Sequence, residues 1–180
     1  SMSFEHSTQL VIDFVRVHHA WAAPVVFALA FLESMVFVSF LIPGWAALVG
    51  IGALIGASGL PFWPVWGAGA MGAALGDWMS YWIGYKFKER IAQVWPLSKH
   101  PDLLPRGHAF IETWGALGIF IGRFFGPLRA AVPLIAGMLE MPYWVFQLAN
   151  VASAFLWAWV LLVFGDVGFG VIKWFTGDLL

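Results

Sequence analysis

Two arginines set in an otherwise apolar stretch are the side chains of this sequence best suited to chemistry. The run Gly122-Arg123-Phe124-Phe125-Gly126-Pro127-Leu128-Arg129-Ala130-Ala131-Val132-Pro133-Leu134-Ile135-Ala136-Gly137-Met138 carries no other charge. An arginine at the centre of a bilayer costs at least about 2.5–3.5 kcal/mol, so Arg123 and Arg129 each need a partner or a water-filled cavity. Their planar, forked donors suit a phosphate or a carboxylate. On an unbroken helix, residues six apart diverge by about 120°. Gly126-Pro127 lies between them and breaks such a helix, so a hairpin tip would bring both guanidiniums to one anion site, with the freed backbone amides adding to it. The other reading is a structural ion pair, with Glu33 and Asp77 as counter-ions and Arg123 facing Glu33. Both readings can hold in alternate states.

Glu33 and Asp77 are the only acids or bases between Ala20 and Tyr85. Either could take up and release a proton as its surroundings alternate between wet and dry, or act as a static counter-ion. Enzyme motifs fare worse. Gly56-Ala57-Ser58-Gly59 matches the Gly-x-Ser-Gly of intramembrane serine proteases, but a serine nucleophile needs a base. His6, His18, His19, His100 and His108 all fall outside the deep apolar segments. They also lack the spacing of a metal site, no His-Glu-x-x-His occurs, and no phosphatase-type histidine motif is found. The expectation is therefore no catalytic residue and no metal.

The elements that must position these charges belong to a membrane protein. Of 180 residues, 61% are hydrophobic and 11% charged, against roughly 25% charged in a soluble domain. Such a chain cannot clothe a single core of this size in polar surface, and 12 Trp and 17 Phe suit lipid-facing and interfacial surface. A net charge of −1 recruits no nucleic acid, and the absence of cysteine leaves no disulfide or thiol chemistry. Ser1 before Met2 reads as the remnant of a cleaved tag, and no basic-then-apolar leader follows, so insertion would use internal signals.

Residues 3–19 alternate apolar and polar at helical spacing and predict an amphipathic helix, either interfacial on the membrane surface or packed on the protein's own loops. Residues 20–58 form a first broken or re-entrant segment: Ala20 to Ile42 ends at Pro43-Gly44, and Trp45 to Ala57 is short for a crossing and rich in glycine. Residues 62–85 predict a transmembrane helix with Gly67, Gly69, Gly72 and Gly76 on a close-packing face. Five of the nine basic residues, Lys86, Lys88, Arg90, Lys99 and Arg106, crowd the loop 86–108, and the positive-inside rule puts it in the cytoplasm as short helices around a turn. Residues 110–139 form a second broken segment, interrupted at Gly126-Pro127 and Pro133. A last transmembrane helix covers 143–172, interrupted at Gly165-Asp166. Glu33 lies ten residues before Pro43 and Arg123 ten before Pro133, while Leu60-Pro61 matches Met141-Pro142. That weak internal symmetry, needing a nine-residue gap, is either the mark of an inverted-repeat transporter or a chance matching of proline positions.

The Gly122-Arg123-Phe124 … Arg129 … Pro133 … Ala136-Gly137-Met138 pattern resembles the DedA family, a branch of the SNARE-associated or VTT-domain superfamily. Phe31-Leu32-Glu33 leading to Pro43-Gly44, Gly76-Asp77 followed by Tyr81 and Ile83-Gly84-Tyr85, and Met141-Pro142 fit it in order over residues 31–142. The resemblance implies an all-α integral membrane fold: an inverted repeat of re-entrant hairpins, each packed on a transmembrane helix. It implies Pro43, Gly44, Gly126, Pro127, Pro133 and Gly137 as hairpin residues, Arg123 and Arg129 as the lipid-phosphate site, and Glu33 as the membrane acid that couples protons, which leaves Asp77 as the candidate for a second one. It implies a multi-pass protein of the bacterial inner membrane that moves polyprenyl phosphate, notably undecaprenyl phosphate, with membrane lipids as partners and no cofactor beyond protons. The alternatives are a flippase or scramblase of other specificity and a non-transport structural protein. Members often carry a second acid where this chain has Trp45, and often continue beyond its last crossing. Lipid identity and oligomeric state stay open.

Overall fold

A computed structural model describes residues 10, 13, 17–35, 49, 52–53, 55, 60–93, 97–99, 101–124 and 128–176. Among them every regular element is helical. After a 3-10 turn at His19–Trp21, α1 spans Ala22–Ser34 and α2 spans Phe62–Phe87. The 3-10 turns Lys88–Gln93 and Leu97–Lys99 cross the basic loop to α3, Leu103–Trp114. Then come α4 (Ala116–Gly122), α5 (Leu128–Met138) and α6 (Tyr143–Thr176). Pro43, Gly44, Gly126 and Pro127 lie outside the described residues, as do Trp45, Gly56-Ala57-Ser58-Gly59 and most of the 3–19 segment.

Three readings of the sequence change. Pro133 does not interrupt its segment: it sits inside α5, near enough to the start that it removes only the hydrogen bond to the Arg129 carbonyl. The break in 110–139 that the sequence did not announce is Gly115, which ends α3 and opens α4 at φ 57°, a backbone region that glycine enters without a steric cost. Gly165-Asp166 does not interrupt the last helix either, because α6 runs through it unbroken. Gly165 serves packing instead. A Cβ there would lie inside 3.0 Å of the Val49 carbonyl.

Glycine sets the other close crossings too. Cβ atoms at Gly72 and Gly76 would strike the carbonyls of Phe27 and Phe31, so α1 lies directly against α2 one turn at a time. Gly67, placed on the same face from sequence, meets nothing within 4 Å. Gly84 of α2 and Gly137 of α5 face the backbone at Leu134 and Tyr81, and Gly52 faces the backbone of Leu162 on α6. Gly137 is thus a packing residue of the last turn of α5. That helix ends in a Schellman motif: the Met141 N–H donates to the Ala136 carbonyl and the Glu140 N–H to Gly137, with Glu140 at φ 56°.

Apolar burial falls in two layers. One joins Val26, Ala30, Val65, Ala70 and Ala73 to Trp157 and Leu162; the other joins Tyr81, Ile111, Ile119, Val132 and Ile135 to Phe146. Along α2 and α6, residues 75–80 and 147–153 lie between the outermost members of the two layers. Of the described helices, one passes the length and apolarity test for a crossing, over Tyr143–Gly168. Of its most apolar 18 residues, 39% are buried. Leu148, Phe164 and Val167 stand exposed on it, a surface that fits hydrocarbon better than water.

Candidate functional site

Four charged side chains fill the gap between the apolar layers. Glu33 comes from the last turn of α1, Asp77 from mid α2, Arg123 from the C-terminal end of α4 and Arg129 from the first turn of α5. All four are buried, Arg123 and Asp77 to 2% relative exposure, which decides that solvent does not neutralise them. The charges sum to zero.

They pair as Arg123 with Asp77 and Arg129 with Glu33. This corrects the Arg123–Glu33 pairing considered from sequence. Partner choice follows from which helix ends meet: the last turn of α1, with Glu33, lies beside Arg129 at the start of α5, whereas Arg123 at the end of α4 meets Asp77 at the centre of α2.

Arg123 is held on three sides. Its Nη2 lies 2.7 Å from Asp77 Oδ2 and donates to Asn150 Oδ1 at 2.6 Å, while Nε donates to Ser153 Oγ at 2.9 Å. Asn150 in turn donates through Nδ2 to the Ala74 carbonyl at 3.0 Å, tying α6 to α2. A guanidinium at a helix C-terminus also meets the negative end of the backbone dipole.

Arg129 is placed differently. It sits in the first turn of α5, where the dipole disfavours a cation, so Glu33 carries most of its stabilisation. Nη2 donates to Ser34 Oγ at 3.1 Å, and the guanidinium lies over the Trp157 ring at 4.1 Å, a cation–π contact in a desolvated setting. Ser80 Oγ donates to the Gly76 carbonyl at 3.1 Å, one turn from Asp77, and reaches toward the Ser34 carbonyl.

Each charge keeps one unused valence. Arg123 Nη1, Arg129 Nε, Glu33 Oε2 and Asp77 Oδ1 are buried with no hydrogen-bond partner among the described residues. An unmet buried polar atom costs about 1–3 kcal/mol. Among the described residues no three His, Asp or Glu side chains converge as metal ligands. His108 faces Glu112 at 3.5 Å on the exposed side of α3, away from these charges.

Asn150, Ser153 and Trp157 went unnoticed in the sequence reading. Their spacing of three and four residues puts them on one face of α6, and two polar residues on that face of an apolar helix were the available signal.

The chain belongs to the VTT-domain family, the DedA family, whose model matches residues 23–167. It is 36% identical over 148 residues to the inner membrane protein YabI of Escherichia coli, covering 82% of this chain and 58% of that protein. It is 35% identical to an uncharacterized membrane protein, BU139, of Buchnera aphidicola, covering 81% and 57%. It is 30% identical to the E. coli inner membrane protein YghB, covering 78% and 65%. The chain therefore spans 57–65% of these relatives' lengths. No solved structure matches it.

Proposed function

We propose that this protein is a multi-pass transporter of the bacterial inner membrane that carries phosphate-bearing lipids between leaflets, with undecaprenyl phosphate as the substrate. The observation that carries this reading is the neutral, buried Arg–Asp and Arg–Glu pair set, with a donor on each arginine that has no partner among the described residues. The inner-membrane names of the relatives support the location, and the undecaprenyl choice rests on the family resemblance. The basic loop 86–108 faces the cytoplasm in this reading.

A lipid phosphate enters by displacing the carboxylates from the guanidiniums while its tail stays in hydrocarbon. Arg129 is the exchangeable one, since an anion at the start of α5 gains from the helix dipole and replaces Glu33 charge for charge. Arg123, fixed by Asn150 and Ser153, is the anchor. Protonation of Glu33 releases Arg129 to the phosphate, and deprotonation takes it back.

The glycine crossings support a repeat of hairpin plus helix working by alternating access. Gly137 against Tyr81 has its counterpart in Gly52 against Leu162, and Gly84 against Leu134 in Gly165 against Val49. One shift relates Gly84 to Gly165 and Tyr81 to Leu162, and another relates Gly52 to Gly137 and Val49 to Leu134. Each inner arm lies on the other half's long helix.

The test is reconstitution into liposomes with several fluorescent phosphate lipids. Transbilayer movement above empty vesicles, with no inorganic phosphate released, is expected. Stoichiometric phosphate release, or no movement of any lipid tried, would overturn the proposal. The ionic partner that each arginine has favours one competing role, helix assembly by buried ion pairs, which predicts the second of those failures.

A further inference from the structure

A second ionic site lies at the other end of α5. A cavity of about 730 Å³ opens where α2, the Lys88–Gln93 turn, α3 and α5 meet. Lys86, Arg90 and His108 line its polar side, while Leu104, Ile135 and Met138 form an apolar wall. Lys86 rests over the Trp82 ring at 4.9 Å, and among the described residues neither it nor Arg90 has a carboxylate partner. Lys88 is committed to Glu140, whose carboxylate holds that ammonium above its ordinary range, and Glu89 also lines the cavity. The cavity is separate from the buried pairs. Lys86 follows Asp77 by nine residues on α2, and Met138 follows Arg129 by nine on α5, about 14 Å along each helix.

We propose that this cavity binds the headgroup of an anionic phospholipid from the leaflet beside the basic loop. Lys86 and Arg90 supply the phosphate contacts. The apolar wall distinguishes a lipid from a free anion, because it gives the first methylenes of a tail a surface that inorganic phosphate cannot use. Lys86 beside Trp82, an exposed aromatic at the end of a long apolar helix, places the cations at headgroup depth. This site does not depend on what the buried arginines carry.

The chain has no cysteine, so His108→Cys labelled with an environment-sensitive fluorophore reports on this cavity alone. Dioctanoyl phosphatidic acid, added to the detergent-purified protein, should shift the fluorescence saturably. Adding Lys86→Gln and Arg90→Gln should weaken the response at least tenfold, as should high salt. Dioctanoylglycerol should have no saturable effect, and inorganic phosphate should act only at far higher concentration. An equal response to dioctanoylglycerol would reduce the cavity to a greasy surface, equal potency of inorganic phosphate would remove the lipid, and an unchanged response of the double-glutamine protein would remove the cations from the site. Loss of lipid transport with this response intact would instead count against the buried arginines.

Discussion

Arg123 and Arg129 carry the same charge in the same buried belt, yet their surroundings predict different mutant behaviour. Arg129 has one ionic partner and an aromatic face, and its proposed work is to exchange ligands. Arg129→Lys keeps the charge but loses the fork. One lost charge-assisted hydrogen bond is worth about 1.5–3 kcal/mol, so lipid affinity should fall roughly tenfold or more while the melting temperature in detergent stays close to wild type. Arg123 is bound by Asp77, Asn150 and Ser153 together. Arg123→Ala leaves a buried carboxylate alone and should destabilise the fold by about 3–5 kcal/mol, whereas Arg123→Gln with Asp77→Asn should recover much of that loss in a thermal melt. Glu33→Gln imitates the protonated acid. Wild-type affinity for a phosphate lipid should drop as pH rises and Glu33 reclaims Arg129, and the glutamine variant should bind tightly with a flat pH profile by equilibrium binding in detergent. All four charges stood out in the sequence because nothing apolar explains a charge in such a run. Their pairing did not stand out, since it depends on which helix ends meet in three dimensions. Asn150 and Ser153 were missed because amide and hydroxyl groups look unremarkable in a long helix until an arginine is seen to need them.

At the scale of the elements, glycine decides where backbones touch. Gly84→Ala, Gly137→Ala and Gly165→Ala each place a Cβ inside 3.0 Å of fixed backbone, so helices must part, and each should lower stability by more than the roughly 1–3 kcal/mol of ordinary overpacking. Gly67→Ala meets open space within the same helix as Gly84. It should stabilise by up to about 1 kcal/mol through helix propensity alone, a contrast readable in one set of thermal melts. Sequence identified the small-residue face of α2 but not which glycines it needs, because periodicity marks a face and not the partner that crosses it. For the same reason Gly165-Asp166 looked like an interruption. A glycine inside a helix reads as a break until a second backbone is found against it. Pro133 misled in the same direction: its place in the sixth position of α5 costs one hydrogen bond, not the helix. Gly115 went the other way, since nothing local separates a glycine required at positive φ from one that merely lacks a side chain.

For the whole molecule, the central claim is that a charge-neutral belt between two apolar layers exchanges its internal carboxylates for a lipid phosphate. A purely structural belt needs only neutrality. A transporting one needs the guanidiniums. The most direct measurement is transbilayer movement of a fluorescent polyprenyl phosphate in proteoliposomes, comparing wild type with the variant Glu33→Gln, Arg129→Gln, whose fold is first verified by melting in detergent. That pair removes both charges of one bridge and keeps the belt neutral. The account predicts a folded protein whose transport falls to the level of empty vesicles. Transport at the wild-type rate by the folded, neutral variant would contradict it.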